Sequence, residues 1–422
     1  MFSVKKTGSP AYIFDLDEFA SRCAKVKKYL GQIPLTYSMK ANPFLLNQVP
    51  ESIRHIEVCS PGELDICIQM GIRPENIIYS GVNKEAWDVE KAVAYGVDIL
   101  TAESLLHVKL ENEAVCKLGQ MQEKRKVILR LTSGNQFGMS VEDIESIIRE
   151  KDAYPGLEIY GIHHYSGTQK KMRQIKKDFK RLESLLDLLK EKYNYEPKLI
   201  EYGPGACVDY FDSPYDETDW NHFAEVAEEI TAFADRYPLG IEMGRFLASS
   251  CGHYVTRVKD SKVNTETNYL ILDGGIHHLR YFGQTMAMQV PPIDVVKADG
   301  KPVSSVNVAP VEAHSGLSID MSLADDKSDM PKKLPYMLCG SLCTTADILV
   351  REVMLAPMEI GDYLIFHRCG AYSVTEGTVL FLSRTLPRIF LLSKKDGLFL
   401  ARDFIEASMI NMVDLRRMDS DD

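Results

Sequence analysis

Residues 36–43 read Thr36-Tyr37-Ser38-Met39-Lys40-Ala41-Asn42-Pro43. Leu35 to Met39 is a short, mostly apolar run that predicts a strand, and Asn42-Pro43 is the turn signal that stops it. Lys40 therefore falls at the C-terminal end of a strand. In a parallel α/β barrel that end is the catalytic face. A lysine amine beside buried apolar surface gives up its charge more readily, and it can form a Schiff base with an aldehyde. A lone lysine is usually a solvated loop residue, so the rest of the chain decides.

Working outward, strand and helix signals alternate. Strands are expected at Ile56–Cys59, Asn76–Ser80, Ile99–Leu100, Lys126–Leu131, Ile159–His163, Leu199–Tyr202 and Leu239–Glu242. Between them lie helix patterns, such as Pro61–Met70 closed by Gly71, Lys84–Tyr95 closed by Gly96, and the long Met172–Tyr193. This alternation predicts βα units, a parallel sheet and, at about eight units, a closed (β/α)8 barrel. Pro10 to Leu16 predicts an earlier strand leading into a helix that ends near Leu30. From Gly252 the texture changes to short strand-like runs separated by Gly, Pro and Asp, which predicts a β domain. They are Tyr254–Val258, Tyr269–Leu272, Val303–Val308, Met337–Cys339, Tyr363–Phe366 and Arg388–Leu392. Ser315–Lys333 reads as a polar surface insertion, and Arg416–Asp422 as a frayed tail.

The 422 residues make two domains the natural expectation. A net charge of −11 argues against nucleic acid as the main partner. No stretch of about eighteen apolar residues suggests a membrane span. The opening Met1-Phe2-Ser3-Val4-Lys5-Lys6 has no apolar signal-peptide core. Nine scattered cysteines, an odd number without framework spacing, suggest reduced thiols and a cytoplasmic protein. Cys339 and Cys343 lack a second Cys/His pair at metal spacing, so no metal site is expected.

Five motifs sit at predicted strand ends. They are Tyr37-Ser38-Met39-Lys40-Ala41; Gly161-Ile162-His163-His164-Tyr165-Ser166-Gly167-Thr168-Gln169; Tyr202-Gly203-Pro204-Gly205; Glu242-Met243-Gly244-Arg245; and Cys343 with Gly370-Ala371-Tyr372. In this order they resemble the fold-type III decarboxylases dependent on pyridoxal 5'-phosphate: the diaminopimelate, ornithine and arginine decarboxylase superfamily. The resemblance runs from Pro10 to about Ser383. It implies an α/β fold, with an N-terminal (β/α)8 TIM-like barrel of the alanine racemase type and a C-terminal β domain. Residues 1–30 would give a strand to the β domain and a helix, 31–250 the cofactor-binding barrel, and 251–422 the β domain.

The resemblance also implies roles. Lys40 matches the Schiff-base lysine. Glu242 matches the acid facing the pyridine nitrogen, which keeps the ring an electron sink. Gly203 and Gly205 match a glycine-rich phosphate loop, where bare backbone can approach an anion. Gly244, Arg245, Thr168 and Tyr372 stand at further phosphate contacts. Cys343 matches a cysteine that enters the partner's site across a dimer interface and can protonate a carbanion. That implies a homodimer with composite active sites.

This chain departs from the pattern in three places. Tyr165 stands where many members stack a histidine on the ring; it can stack but does not titrate near neutrality. By alternation, His163 rather than His164 faces the barrel interior with Tyr165. Pro204 replaces the middle glycine of the phosphate loop and removes one N–H donor. Thr344 follows Cys343 where enzymes of free diamino acids carry an acid for the distal ammonium. Leu342-Cys343-Thr344-Thr345-Ala346-Asp347 and Gln136-Phe137-Gly138-Met139 look instead like a subgroup acting on siderophore intermediates or on glutamyl groups carried by acyl-carrier proteins. Asp347 could replace the missing acid, or cap a helix. Arg280 stands near an arginine that diaminopimelate enzymes use for a distal carboxylate. Lys170–Arg181 holds seven basic residues against the single acid Asp178. That is normally a solvated helix face; otherwise it is a dock for an acidic acyl-carrier protein.

The reading is a carboxy-lyase acting on an amino acid or an amino-acid conjugate. Three alternatives stand beside it: diaminopimelate decarboxylase on the free amino acid, an amino-acid racemase, and an inactive binding protein derived from the family.

Overall fold

The computed structural model describes residues 4–119, 124–211, 215–284, 286–306 and 332–413. The chain divides into two compact units. One holds Phe19–Asp209 and Tyr215–Ser249; the other holds Met1–Glu18, Tyr210–Pro214 and Ser250–Asp422. The proposed surface insertion at Ser315–Lys333, apart from its last two residues, and the tail from Arg416 lie outside the described residues.

The strands, in chain order, begin with β1 (Ala11–Asp15). Then come β2 (Leu35–Ser38), β3 (His55–Val58), β4 (Ile77–Tyr79), β5 (Ile99–Ala102), β6 (Arg125–Arg130), β7 (Leu157–Tyr165), β8 (Leu199–Gly203) and β9 (Leu239–Met243). Strands β2 to β9 form a closed barrel. Every neighbouring pair is parallel, and β9 returns to β2 with Thr36 opposite Glu242. β2, β3, β4, β5 and β9 are buried along their whole length, which is why they read as apolar runs rather than alternating ones.

The helices between them start where short polar side chains can satisfy free N–H groups. Ser60 accepts from Glu63 N at 3.1 Å, and Ser104 from His107 N at 3.2 Å. Ser140 and Asp143 form a reciprocal capping box. Gly96, at φ +92°, closes the helix Ala86–Tyr95. In Met172–Tyr193 the buried Ile175, Phe179, Leu182, Leu186 and Leu189 recur at helical spacing and form the packing face.

The other unit contains a mixed sheet. Its strands are β10 (Gly252–Asn264), β11 (Thr267–Leu272), β12 (Ile293–Val296), β13 (Pro302–Val306), β14 (Leu334–Cys339), β15 (Ile348–Leu355), β16 (Tyr363–His367), β17 (Arg388–Ser393) and β18 (Gly397–Arg402). β1 lies between β10, antiparallel, and β17, parallel. Ala11, Ile13, Val255, Ile365, Phe390 and Leu392 pack together there in one apolar cluster. The parallel barrel and the β domain are both as the sequence reading expects. β12, β15 and β18 were not anticipated. β15 is interrupted by Arg351 and Glu352, and most of β18 is exposed, so neither carries the apolar signature of a core strand. Among the described residues no helix is long and apolar enough to cross a membrane.

Candidate active site

In the barrel unit, β2 ends at Ser38 and the chain turns through Met39–Ala41. Met39 and Ala41 are buried, and Asn42 stops the turn by donating its N–H to Met39 O at 2.9 Å. Lys40 is the half-exposed residue between two buried anchors. Its Nζ lies 2.5 Å from Glu57 Oε2 on β3 and 3.4 Å from Cys59 Sγ. Cys59 in turn donates to Glu57 Oε1 at 3.1 Å. Burial alone would raise the Glu57 carboxyl. The charge and hydrogen bond of Lys40, with help from Ser38 and Cys59, outweigh it and lower the group to about 2. Burial and the Glu57 charge push the Cys59 thiol well up, so it is held as a thiol.

β7 shows the expected alternation. His163 turns inward, with Nε2 3.3 Å from Glu242 Oε2 on β9. His164 turns outward: Nδ1 meets Leu131 O at 3.2 Å and Nε2 lies 3.4 Å from Asp178. Tyr165 ends the strand, and its hydroxyl is raised first by burial and then by the charge of Glu242. The charges of Lys40 and Arg245 oppose that rise. Thus Lys40, Glu57, Glu242 and Arg245 all act on one tyrosine.

The Gly203-Pro204-Gly205 turn follows β8. A Cβ on Gly203 would lie 2.6 Å from Tyr165 Cδ2 and 3.1 Å from Glu242 Oε1, so only glycine lets the backbone pass there. Gly205 has φ +56°, and a Cβ on it would lie 2.1 Å from Gly167 O. Thr168 sits in the loop that supplies that carbonyl. Two bonds between Gln169 and Val208, of 2.7 and 2.6 Å, join this loop to the glycine turn. Gly244 and Arg245 open the short helix Arg245–Ala248.

Besides Glu57, the sequence reading passed over Lys170 and Glu201, both buried in the barrel. Lys170 is not on the solvated face of its basic run: it is 1% exposed. Its ammonium donates to Asp178 Oδ2 and to Gly203 O, each at 2.8 Å, and to Ser166 Oγ at 3.1 Å. Burial lowers the Lys170 ammonium, and Asp178 opposes that shift. Burial alone would raise Asp178, but hydrogen bonds from His164, Lys170 and Ser166 and the Lys170 charge hold it well below the usual carboxylate range. Glu201, on β8, is 2% exposed in the barrel interior, and the missing side chain of Gly240 makes room for its carboxylate. Burial, with the charges of Glu242 and Glu57 in the same sense, raises it to about 8. A charged residue inside an apolar strand was the available signal for both Glu57 and Glu201.

In the second unit, Cys343 is exposed on a turn after β14. That turn is fastened by Asp347, whose two carboxylate oxygens accept from Leu342 N at 2.7 Å and Ile276 N at 2.8 Å. Asp347 is 2% exposed, and Cβ atoms on Gly275 or Gly340 would strike its carboxylate. Both of its oxygens thus serve the backbone, as a cap does. Thr344 stays exposed beside Cys343, with its Oγ1 accepting from Ala346 N at 3.3 Å. Arg280 is exposed and donates to Glu376 O at 3.4 Å, while its own carbonyl accepts from Ser373. Tyr372, at φ +67°, begins the turn that holds Ser373 and Glu376, so Arg280 and Tyr372 share one local cluster.

Residues 16–249 match the model of the pyridoxal-dependent decarboxylase family's pyridoxal-binding domain. The chain belongs to that family. It is 25% identical over 408 residues to 2-[(L-alanin-3-ylcarbamoyl)methyl]-2-hydroxybutanedioate decarboxylase of Staphylococcus aureus, covering 91% of this chain and 94% of that protein. It is 25% identical over 414 residues to L-glutamyl-[BtrI acyl-carrier protein] decarboxylase of Niallia circulans, covering 91% and 88%. Its fold matches diaminopimelate decarboxylase of Helicobacter pylori complexed with L-lysine, at TM-score 0.77 and 19% identity over 96% of each chain. The chain is therefore a decarboxylase that depends on pyridoxal phosphate. The barrel's donor set fits that cofactor: an amine paired with a carboxylate, a flat aromatic wall at Tyr165, and a cradle at Gly203 and Gly205 that any Cβ would fill.

Proposed function

We propose that this decarboxylase acts through Lys40 on an amino-acid conjugate rather than on a free diamino acid. The observation that carries the site is the gathering at the barrel's strand ends of the Lys40–Glu57 pair, the His163–Glu242 pair, and Tyr165 and Glu242 against the backbone of Gly203. When bound, pyridoxal phosphate supplies an aldehyde for the Lys40 amine and an electron-accepting ring. Glu57 orients the Lys40 amine and can take or return its proton. Glu242, supported by His163, would face the pyridine nitrogen and hold its proton. Tyr165 would stack on the ring. Gly203, Gly205, Thr168, Gly244, Arg245 and Tyr372 would receive the phosphate.

Cys343 delivers the proton that replaces the departing carboxyl group, and it does so in the partner copy's site. The active unit is accordingly a homodimer with composite sites. Exposure of the Cys343 turn, which Asp347 holds rigid, supports this assignment.

Substrate class rests on Thr344. A neutral hydroxyl cannot balance a distal ammonium, and Asp347 is committed to the backbone. Two relatives that cover nearly the whole chain are named for a carbamoyl-linked hydroxy-dicarboxylate conjugate and for a carrier-bound glutamyl group. An exposed basic row at Lys171, Arg173, Lys177 and Lys180 suits an acidic carrier. Arg280 suits a carboxylate on the substrate's distal part.

The test is CO2 release by cofactor-loaded protein from free meso-diaminopimelate, lysine, ornithine, arginine and glutamate, against the amide that citrate forms with the 3-amino group of 2,3-diaminopropionate and a carrier-bound glutamyl group. Turnover confined to a conjugate supports the proposal. Brisk turnover of free diaminopimelate contradicts it and restores the diaminopimelate reading.

A further inference from the structure

Lys170 ties the glycine turn to the barrel by two separate bonds. Its ammonium reaches Gly203 O at 2.8 Å, and its backbone N–H reaches Gly205 O at 2.9 Å. Both carbonyls of the two glycines therefore point towards one buried residue. A peptide unit is planar and trans, so its carbonyl and the following N–H point in opposite directions. Fixing Gly205 O on Lys170 turns the Ala206 N–H to the other side of the turn. After Gly203 the same geometry yields no donor, because the next nitrogen belongs to Pro204.

The ammonium is held where it is by more than the turn. Asp178 Oδ2 accepts it at 2.8 Å, and Asp178 is itself bound by Ser166 Oγ at 2.6 Å and Tyr202 Oη at 3.1 Å. The cation stands 4.7 Å from the centre of the Tyr202 ring and 5.7 Å from that of Tyr165, both electron-rich faces that favour it. Gly205 is closed in on the same side, since a Cβ there would come within 2.9 Å of Lys170 Cε. A long, flexible side chain has been placed in one position, 1% exposed, under two consecutive turns.

We propose that Lys170 is a positioning residue for phosphate recognition: its ammonium draws the Gly203 carbonyl, and its backbone N–H the Gly205 carbonyl, away from the anion, in a turn where Pro204 leaves one N–H donor fewer. This rests on the reading of Gly203-Pro204-Gly205 as the phosphate loop. Negative carbonyl oxygens facing a phosphate would repel it; bound to Lys170, both point to the other side of the turn. Asp178 keeps the ammonium in register. The backbone bond from Lys170 N–H survives any side-chain change, so the side chain's share can be measured by itself.

The experiment compares two probes, pyridoxal phosphate and pyridoxal, in equilibrium titrations of the full chain freed of cofactor. The two differ only in the phosphate. General damage to the fold weakens both and cancels in the ratio of their dissociation constants. The wild type is expected to prefer pyridoxal phosphate strongly. In Lys170→Met that preference falls about 10- to 100-fold, the scale of a lost charged hydrogen bond. Pyridoxal binding stays as it was, and Lys170→Arg keeps most of the preference. If Lys170→Met does not fold, Lys170→Met/Asp178→Asn leaves no uncompensated charge and carries the same measurement. An unchanged ratio in the folded variant overturns the role of Lys170 while leaving the phosphate loop standing. A wild-type ratio near one removes the phosphate loop itself, and the role of Lys170 with it.

Discussion

Lys40 Nζ and Glu57 Oε2 stand 2.5 Å apart at the C-terminal rim of the barrel, the lysine half exposed and the glutamate buried. The two residues are on adjacent parallel strands or their immediate ends, so the pair is set by barrel register and not by loop conformation.

Glu57→Gln keeps the shape and removes the charge. Turnover should fall about 100-fold, the lower range for loss of a positioned proton-transfer group. The pair also makes stability depend on pH. Glu57 is lowered from 4.5 unfolded to about 2 folded, so its contribution is fully present above 4.5 and is lost as pH falls through 2. Urea unfolding at pH 6 and at pH 2.5 checks this: the wild type's advantage over Glu57→Gln should shrink at the lower pH.

Glu201 titrates in the opposite sense. It is raised from 4.5 to about 8 by burial, so the folded state keeps a proton that the unfolded state has lost. Stability should decline as pH rises from 4.5 to 8. Glu201→Gln removes that decline. Its melting temperature should exceed the wild type's at pH 8 by a few degrees, at about 2–4 °C per kcal/mol for a domain of this size. At pH 4 the two should converge.

Asp347 ties the Cys343 turn to Ile276 by accepting from the buried Leu342 N–H and the partly buried Ile276 N–H. Asp347→Ala leaves both without an acceptor, which should cost about 1–3 kcal/mol for each group. Asp347→Asn keeps one acceptor oxygen and should cost less. Thermal unfolding of the two variants gives the order directly.

A composite dimer predicts complementation. Lys40→Ala and Cys343→Ala should each be inactive or nearly so, and Cys343→Ala should fold normally because the side chain is exposed. Refolded as a mixture, they should regain roughly a quarter of wild-type activity, since half the dimers are mixed and one of their two sites is intact. No recovery would mean that Lys40 and Cys343 of one chain serve the same site, or that Cys343 is idle.

The barrel was legible because buried parallel strands read as unbroken apolar runs and each helix between them carries its own start or stop signal. Lys40 was legible through its place after such a run. The chemistry around it was less so. Glu57 interrupts the strand run His55–Val58 by one charged residue, and only the register of β2 against β3 shows that it meets Lys40. Lys170 opens a run of seven basic residues, and a charge run predicts solvation. What separates it from its neighbours is Asp178, eight residues away, and the carbonyls of a turn more than thirty residues away. For Asp347 the sequence left two readings, a ligand beside a candidate active-site cysteine or a cap; its bond to Ile276 N, seventy-one residues away, was beyond any local pattern.

The central claim, that Lys40 is where the cofactor is attached, has a direct test. The cofactor-loaded protein is reduced with borohydride, digested, and its peptides are analysed by mass spectrometry. A phosphopyridoxyl group on Lys40, absent from Lys40→Ala, is the predicted result. The same group on another lysine such as Lys170, or on no lysine of a folded and cofactor-loaded chain, would contradict the account.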